Sequence, residues 1–117
     1  MGENQFSREL RLLTPTHFEY VFQQATPAVS PQLTLLARHN QLKHPRLGIT
    51  LSKKRVKTAC QRNRIKRILR ESFRHRQHQL PSIDIVVVGK SGLDQLTNQQ
   101  IFDLLERQWK KLSHRCK

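Results

Sequence analysis

The amino-acid sequence predicts an α+β fold, a single-domain α/β sandwich of one sheet and several helices. Two patterns carry that prediction. Apolar residues recur at helical spacing in three separate stretches, and between them lie short segments that alternate or run continuously apolar, as strands do. Length supplies the third constraint, because 117 residues can enclose one modest core and have no room for a second. The order read from these patterns is helix, strand, strand, helix, strand, helix, with a further short strand at Ala28–Ser30 ahead of the first pair.

The chain opens with a polar, basic stretch, and residues 1–13 read as a loosely held arm. Thr14-Pro15 then marks a helix start, the threonine suited to cap and the proline to the first helical position. Phe18, Val21, Phe22 and Ala25 follow at i, i+3, i+4, i+7, so the helix is short, amphipathic and ends before Pro27. On periodicity alone, Phe18 and Phe22 are core residues. Leu33 to Arg38 alternates partly, and Arg46 to Ser52 alternates well, with Leu47, Ile49 and Leu51 on one side. The polar turn Asn40–Pro45 between them suggests an antiparallel hairpin. Ile83 to Val88 is β-branched and continuous, as expected of a strand covered on both faces. Thr97-Asn98-Gln99-Gln100 has the spacing of a capping box, and Ile101, Leu104, Leu105, Gln108, Trp109 and Leu112 behind it make a last amphipathic helix.

Charge is distributed unevenly along this framework. Eleven of the 22 Lys and Arg residues lie between Lys53 and Arg76, where Glu71 is the only acid. Placed on a helix, Ile65, Ile68, Leu69, Ser72 and Phe73 form one stripe, its apolar members worth about 1.5–3 kcal/mol each when fully buried. Asn63, Arg64, Lys66, Arg67, Arg70 and Arg74 fall on the other side, with Arg62 at the border. Most charge runs are solvated faces, but those usually mix signs so that i, i+4 pairs support the helix. Lys66, Arg70 and Arg74 instead repel one another at that spacing, at a few tenths of a kcal/mol per pair, which points to a polyanionic partner.

The whole chain carries 22 basic and 8 acidic side chains, a formal charge of +14 and a pI near 11.2. That excess selects nucleic acid or an anionic surface. The longest apolar run, Ile85-Val86-Val87-Val88, is far below the ~20 residues that cross a bilayer, so no membrane partner is expected. The N-terminus shows no basic and apolar export signal, which gives a cytoplasmic expectation. Cys60 and Cys116 are expected as free thiols, and of the scattered histidines only His75 and His78 share a helical face, a pair read as surface residues and not as a metal site. Catalytic residues are expected to be absent, because the eight acids do not cluster and no phosphate-cradling glycine loop is present.

Arg46-Leu47-Gly48-Ile49, Ser52-Lys53-Lys54, and Val56-x-x-Ala59-x-x-Arg62-Asn63-Arg64-Ile65-Lys66-Arg67-Ile68-Leu69-Arg70-Glu71 together resemble the protein subunit of bacterial ribonuclease P. The likeness extends to Arg8–Pro15, Phe18-x-x-Val21-Phe22 and the Ile83–Val88 strand, and is nearest to forms from enteric-type bacteria. It implies the order α-β-β-β-α-β-α, with a left-handed β-α-β crossover like that of the second domain of ribosomal protein S5. It also implies a function. A catalytic RNA working with Mg²⁺, bound mainly by the RNA, removes the 5′ leader of precursor tRNA. One protein per RNA binds the leader and aids substrate and metal affinity. Carried over by motif, Arg62, Asn63, Arg64, Lys66, Arg67, Arg70 and Arg74 face RNA, joined by Lys53, Lys54, Arg46 and Lys90. Phe18, Phe22 and Leu36 line the leader cleft, the phenylalanines as part core and part stacking platform. Leu36 stands where some family members carry tyrosine, which replaces a stacking contact by an apolar one. Asn63, a neutral donor and acceptor, suits a 2′-hydroxyl or a metal-bound water. Competing readings are a ribosomal or other structural RNA-binding protein, a helix-turn-helix DNA binder and a stand-alone ribonuclease; the last two lack a suitably spaced preceding helix and clustered acids, respectively.

Overall fold

The computed structural model describes Arg11 and residues 14–116. Seven elements follow in order: α1 (Pro15–Gln23), β1 (Thr26–Val29), β2 (Leu33–His39), β3 (Arg46–Thr50), α2 (Ala59–Arg76), β4 (Ile83–Gly89) and α3 (Asn98–Arg115). This is the α-β-β-β-α-β-α order implied by the resemblance. The extra strand is real but begins earlier than Ala28 and pairs over its full length with β2. Its Pro27 is tolerated because β1 is an edge strand, where one missing backbone donor breaks no ladder. Arg11, the one described residue of the expected arm, forms an isolated parallel bridge with Leu47 of β3.

The four strands lie in the order β1-β2-β4-β3. β2 is antiparallel to β4, and β3 is parallel to it. The hairpin expected between Leu33–Arg38 and Arg46–Ser52 therefore does not form, because β4 is inserted between the two strands. The connecting loop arches over the start of β4, where the Asn40 amide donates to Ser82 O at 3.1 Å and its side chain to Asp84 Oδ1 at 2.9 Å. Two strands with one strand between them are separated by about 10 Å, a gap that six residues span with ease. Local alternation cannot register that gap. β4 is buried on both faces as its continuous apolar sequence predicts, by α2 and α3 on one side and by α1 at Val86 on the other.

Alternation along the strands sends Leu33, Leu35, Leu47, Ile83, Ile85 and Val87 to one face of the sheet, where α2 and α3 cover them. The apolar stripe of α2 is buried as predicted: Ile65, Ile68, Leu69, Ser72 and Phe73. α3 presents its own stripe beside it. Phe73 meets Trp109 edge-on at 6.0 Å, and Trp109 Nε1 donates to the buried Ser72 hydroxyl at 2.8 Å. The capping box that starts α3 is complete, with Gln100 N donating to Thr97 Oγ1 at 3.1 Å and Thr97 N to Gln100 Oε1 at 2.8 Å. Among the described residues, the opposite face of the sheet carries α1 as its only helix, seated by Val21 on Val86. One helix cannot cover four strands, and among the described residues part of that face stays exposed, Val29 at 53 %. Among the described residues, no helix is long and apolar enough to cross a membrane.

Candidate nucleic-acid interface

Two surfaces emerge on opposite sides of the sheet. The first is the outer face of α2. Thr58 caps this helix by accepting from Gln61 N at 3.2 Å, and the buried stripe fixes its rotation, so the remaining side chains face outward. Asn63, Arg67 and Arg70 are exposed and Lys66 is half-buried. None of the four donates to, or pairs with, another described residue. Lys53 and Lys54 are exposed in the loop leading into the helix and are equally unengaged.

The other expected contacts are drawn into the protein itself. Arg62 Nη1 donates to the carbonyls of Val56 at 2.8 Å and Lys57 at 3.1 Å, closing the loop ahead of α2. Arg64 reaches Gln61 Oε1 at 2.8 Å, Asn98 Oδ1 at 2.6 Å and Asp94 O at 3.2 Å, bracing α2 against the start of α3. Arg74 pairs with Glu71, which also lies 3.2 Å from His75 Nε2. The hydrogen bond from Arg74 holds the Glu71 carboxyl below the usual carboxylate range, and His75 adds to the effect. Arg46 grips Asp84 with both ends of a fork, Nε to Oδ1 at 2.8 Å and Nη2 to Oδ2 at 2.6 Å, and the Asp84 side chain is 1 % exposed. Lys90 Nζ donates to Ser30 O at 2.9 Å and so ties the end of β4 to the β1–β2 turn. Arg46 and Lys90 are thus engaged within the fold, whereas Lys53, Lys54, Lys66, Arg67 and Arg70 donate to no described residue.

The second surface is the open part of the α1 side of the sheet. Strand register places Val29, Thr34, Val88 and Thr50 side by side in one row across all four strands, and Pro27, Leu36, Val86 and Gly48 in the next. Helix α1 covers the second row at Val86. Leu36, Phe18, Ala25 and Val88 pack around that contact and are only partly buried. Phe22, on the same helix, is 49 % exposed, and Val29 at the edge is 53 % exposed. Phe18 is therefore half core and half surface, Phe22 mainly surface, and Leu36 part of the apolar floor. The orientation of α1 is held by a clamp at its middle. The Tyr20 hydroxyl donates to His39 O at 2.6 Å, while the Arg38 guanidinium stacks 3.8 Å above the Tyr20 ring and donates to Tyr20 O at 2.8 Å.

Sequence reasoning missed Val29, Thr34, Thr50 and Val88 as a row, and missed the Tyr20–Arg38 clamp. Alternation does put Thr34 and Leu36 on one face of their strand, and Val86 and Val88 on one face of theirs. What was missing was which strands are neighbours. Chemically, this surface offers an apolar and hydroxyl-bearing floor with an exposed aromatic ring, suited to sequence-tolerant contact with unstacked bases. The α2 face offers guanidinium and ammonium donors at helical spacing, suited to phosphates.

Known proteins resemble this chain in sequence and fold. Residues 6–113 match the family model described as Ribonuclease P. The "Ribonuclease P protein component" of Pseudoalteromonas atlantica is 73 % identical over 116 residues, covering 99 % of this chain and 97 % of the relative. That of Serratia proteamaculans is 58 % identical over 106 residues, covering 91 % and 89 %. Among solved structures, the RNase P protein of Staphylococcus aureus superposes with a TM-score of 0.83 at 29 % identity, covering 89 % of this chain and 97 % of that one. The Thermotoga maritima protein gives 0.77 at 27 % identity, covering 86 % and 96 %. Fold, motif and sequence agree, and the chain belongs to the bacterial ribonuclease P protein family, whose members are components of a ribonucleoprotein enzyme of tRNA 5′ processing.

Proposed function

We propose that this protein docks on the catalytic RNA of ribonuclease P through the outer face of α2 and holds the 5′ leader of precursor tRNA in the cleft beside α1. The observation that carries the reading is the division of the basic residues. Lys53, Lys54, Asn63, Lys66, Arg67 and Arg70 keep their donors free on α2 and the loop before it, while Arg62, Arg64 and Arg74 support the helix. A partner with closely spaced phosphates relieves the repulsion among the free cations. The leader differs in sequence between precursors, so its site must bind any base. A floor of Leu36, Val88 and Val29 beside the exposed Phe22 ring has that tolerance.

In this reading, catalysis resides in the RNA, and the protein contributes affinity and position. Mg²⁺ in this reading is held mainly by the RNA, which is consistent with the engagement of Asp84, Glu71 and Glu106 by Arg46, Arg74 and Arg76. Asn63, exposed among the free cations, is the residue of this chain suited to a 2′-hydroxyl or a metal-bound water.

The deciding experiment combines the protein with a bacterial ribonuclease P RNA and 5′-labelled precursor tRNA at low Mg²⁺, where the RNA alone is slow. Faster release of the intact leader, with no cleavage by the protein alone, is the expected result. Cleavage by the protein alone would move the chemistry onto this chain. No stimulation would return the protein to the class of structural RNA binders.

A further inference from the structure

The basic character of the helical layer does not end with α2. From Arg107 to Arg115, α3 carries four Lys or Arg residues, one His and no acid. Favourable interaction with the helix dipole accounts for cations in the last turn, here His114 and Arg115. It does not account for Arg107 and Lys110, which lie one to two turns further back, where that effect has decayed. The acids four residues before them, Asp103 and Glu106, support them only at helical i, i+4 spacing, because Asp103 already accepts from Gln99 and Glu106 from Arg76. Both are exposed, and neither donates to another described residue.

Beside Lys110, the C-terminal ends of α2 and α3 enclose a pocket of about 240 Å³ with walls formed by Arg76, Lys110, Ser113 and His114 over a floor of Leu80 and Trp109. Arg76 is immobilised there. Its Nε and Nη2 donate to Glu106 at 2.8 and 2.6 Å, and its Nη1 to Gln79 at 2.6 Å. These bonds use three of the five guanidinium hydrogens and leave two for a ligand. Ser113 adds a hydroxyl, Lys110 an ammonium, and the buried indole of Trp109 is fixed by its bond to Ser72. An apolar floor under converging donors strengthens each interaction with an anion by lowering the local dielectric.

We propose that this pocket and the basic half of α3 beside it form a second phosphate-binding surface for the catalytic RNA. The proposal rests on the reading of the α2 face given above, since the partner is the same RNA molecule. The catalytic RNA is favoured over the leader by position. Pocket and α2 belong to the same helical layer, whereas the cleft lies across the sheet, so a leader strand held beside α1 would have to pass around the sheet edge to reach Lys110.

The test compares three proteins: wild type, Arg67→Ala on α2, and Arg107→Gln/Lys110→Gln on α3. Binding to the catalytic RNA is measured as a function of KCl, with backbone footprinting of the complex, thermal unfolding of each protein and the KM of the assembled holoenzyme for precursor tRNA. The expected result for the α3 variant is a salt slope lowered by about two, one for each phosphate no longer neutralised, with an unchanged unfolding midpoint. The RNA positions that become unprotected should differ from those exposed by Arg67→Ala. If Arg67→Ala lowers the slope and the α3 variant does not, this inference falls and the α2 reading stands. If neither variant moves the slope, both fall. A raised KM for precursor tRNA with unaltered assembly would assign the pocket to the substrate and overturn the inference. A lowered slope with a lowered unfolding midpoint would be referred to Lys110→Arg, which retains the charge. Recovery of the slope by that variant upholds the proposal, and failure to recover it overturns it.

Discussion

Arg46 distinguishes structure from recognition most sharply, because the family motif places it at the RNA and the fold places it on Asp84. The carboxylate is 1 % exposed and accepts three donors, two from Arg46 and one from Asn40 at 2.9 Å. Arg46→Ala removes two of the three and leaves a buried charge satisfied only by an amide. Breaking a buried pair from one side costs about 3–5 kcal/mol. Folded domains have about 5–15 kcal/mol in total, so the variant sits near the edge of stability. At a urea slope of about 2 kcal/mol per molar, the midpoint should fall by about 1.5–2.5 M, measured in phosphate buffer so that the +14 chain is screened. Removing both charges, as Arg46→Met/Asp84→Leu, should recover much of the loss. The RNA-binding salt slope of Arg46→Ala, measured where the protein is folded, should match wild type. A slope lowered by one with an undisturbed urea midpoint would refute this reasoning and return Arg46 to the RNA interface.

Other substitutions test the remaining assignments. Phe22→Ala should weaken binding of precursors with a long leader by about 1–3 kcal/mol per stacked base while leaving leaderless tRNA unaffected, as competition assays would show. Ser72→Ala orphans the Trp109 indole donor in a buried site and should cost about 1–3 kcal/mol of unfolding free energy by urea titration. Acidification should destabilise the fold: Glu71 and Glu106 titrate below the usual carboxylate range, Glu71 chiefly through Arg74 and Glu106 chiefly through Arg76. A depressed carboxylate stabilises the fold above its unfolded-state value, and that contribution is lost as pH falls through the folded-state value. Both side chains are more than a third exposed, so the loss should be shallow and reduced by salt. Asn63→Ala should raise the Mg²⁺ concentration needed for half-maximal cleavage; an unchanged requirement would remove Asn63 from any metal-bound water.

The parts of this fold that were legible in the sequence are those fixed within one element. Ile65, Ile68, Leu69, Ser72 and Phe73 could be assigned to the core because a helix repeats every 3.6 residues wherever it packs. The caps at Thr14, Thr58 and Thr97 depend on three or four successive residues, and the two read from sequence, Thr14 and Thr97, form as expected. Strand neighbours are a non-local property. Arg46 meets Asp84 across 38 positions of sequence, and the cleft row draws one residue from each of four strands. Nothing in the alternation of Leu33–His39 or Arg46–Thr50 says that a strand from much later in the chain will separate them. The charge pattern located the basic helix but not the use of each cation on it, because a guanidinium donating to a carbonyl and one facing water have the same letter in the sequence.

That distinction has a physical consequence for the whole basic segment. Of its eleven Lys and Arg residues, Arg55, Arg62, Arg64, Arg74 and Arg76 donate to groups of the protein, and all five are arginines. Lys53, Lys54, Lys57, Lys66, Arg67 and Arg70 donate to none among the described residues. The division follows side-chain chemistry: a planar fork with five donors can satisfy several carbonyls at once, whereas an ammonium is strongly hydrated and loses more on being fixed. Arginines therefore hold together the scaffold from which the lysines and two remaining arginines project. Self-repulsion within the free set is lowest when anions are bound, so anion binding there should stabilise α2. On the proposed reading the six free cations link recognition to folding, while the five engaged arginines brace the helix from within the protein.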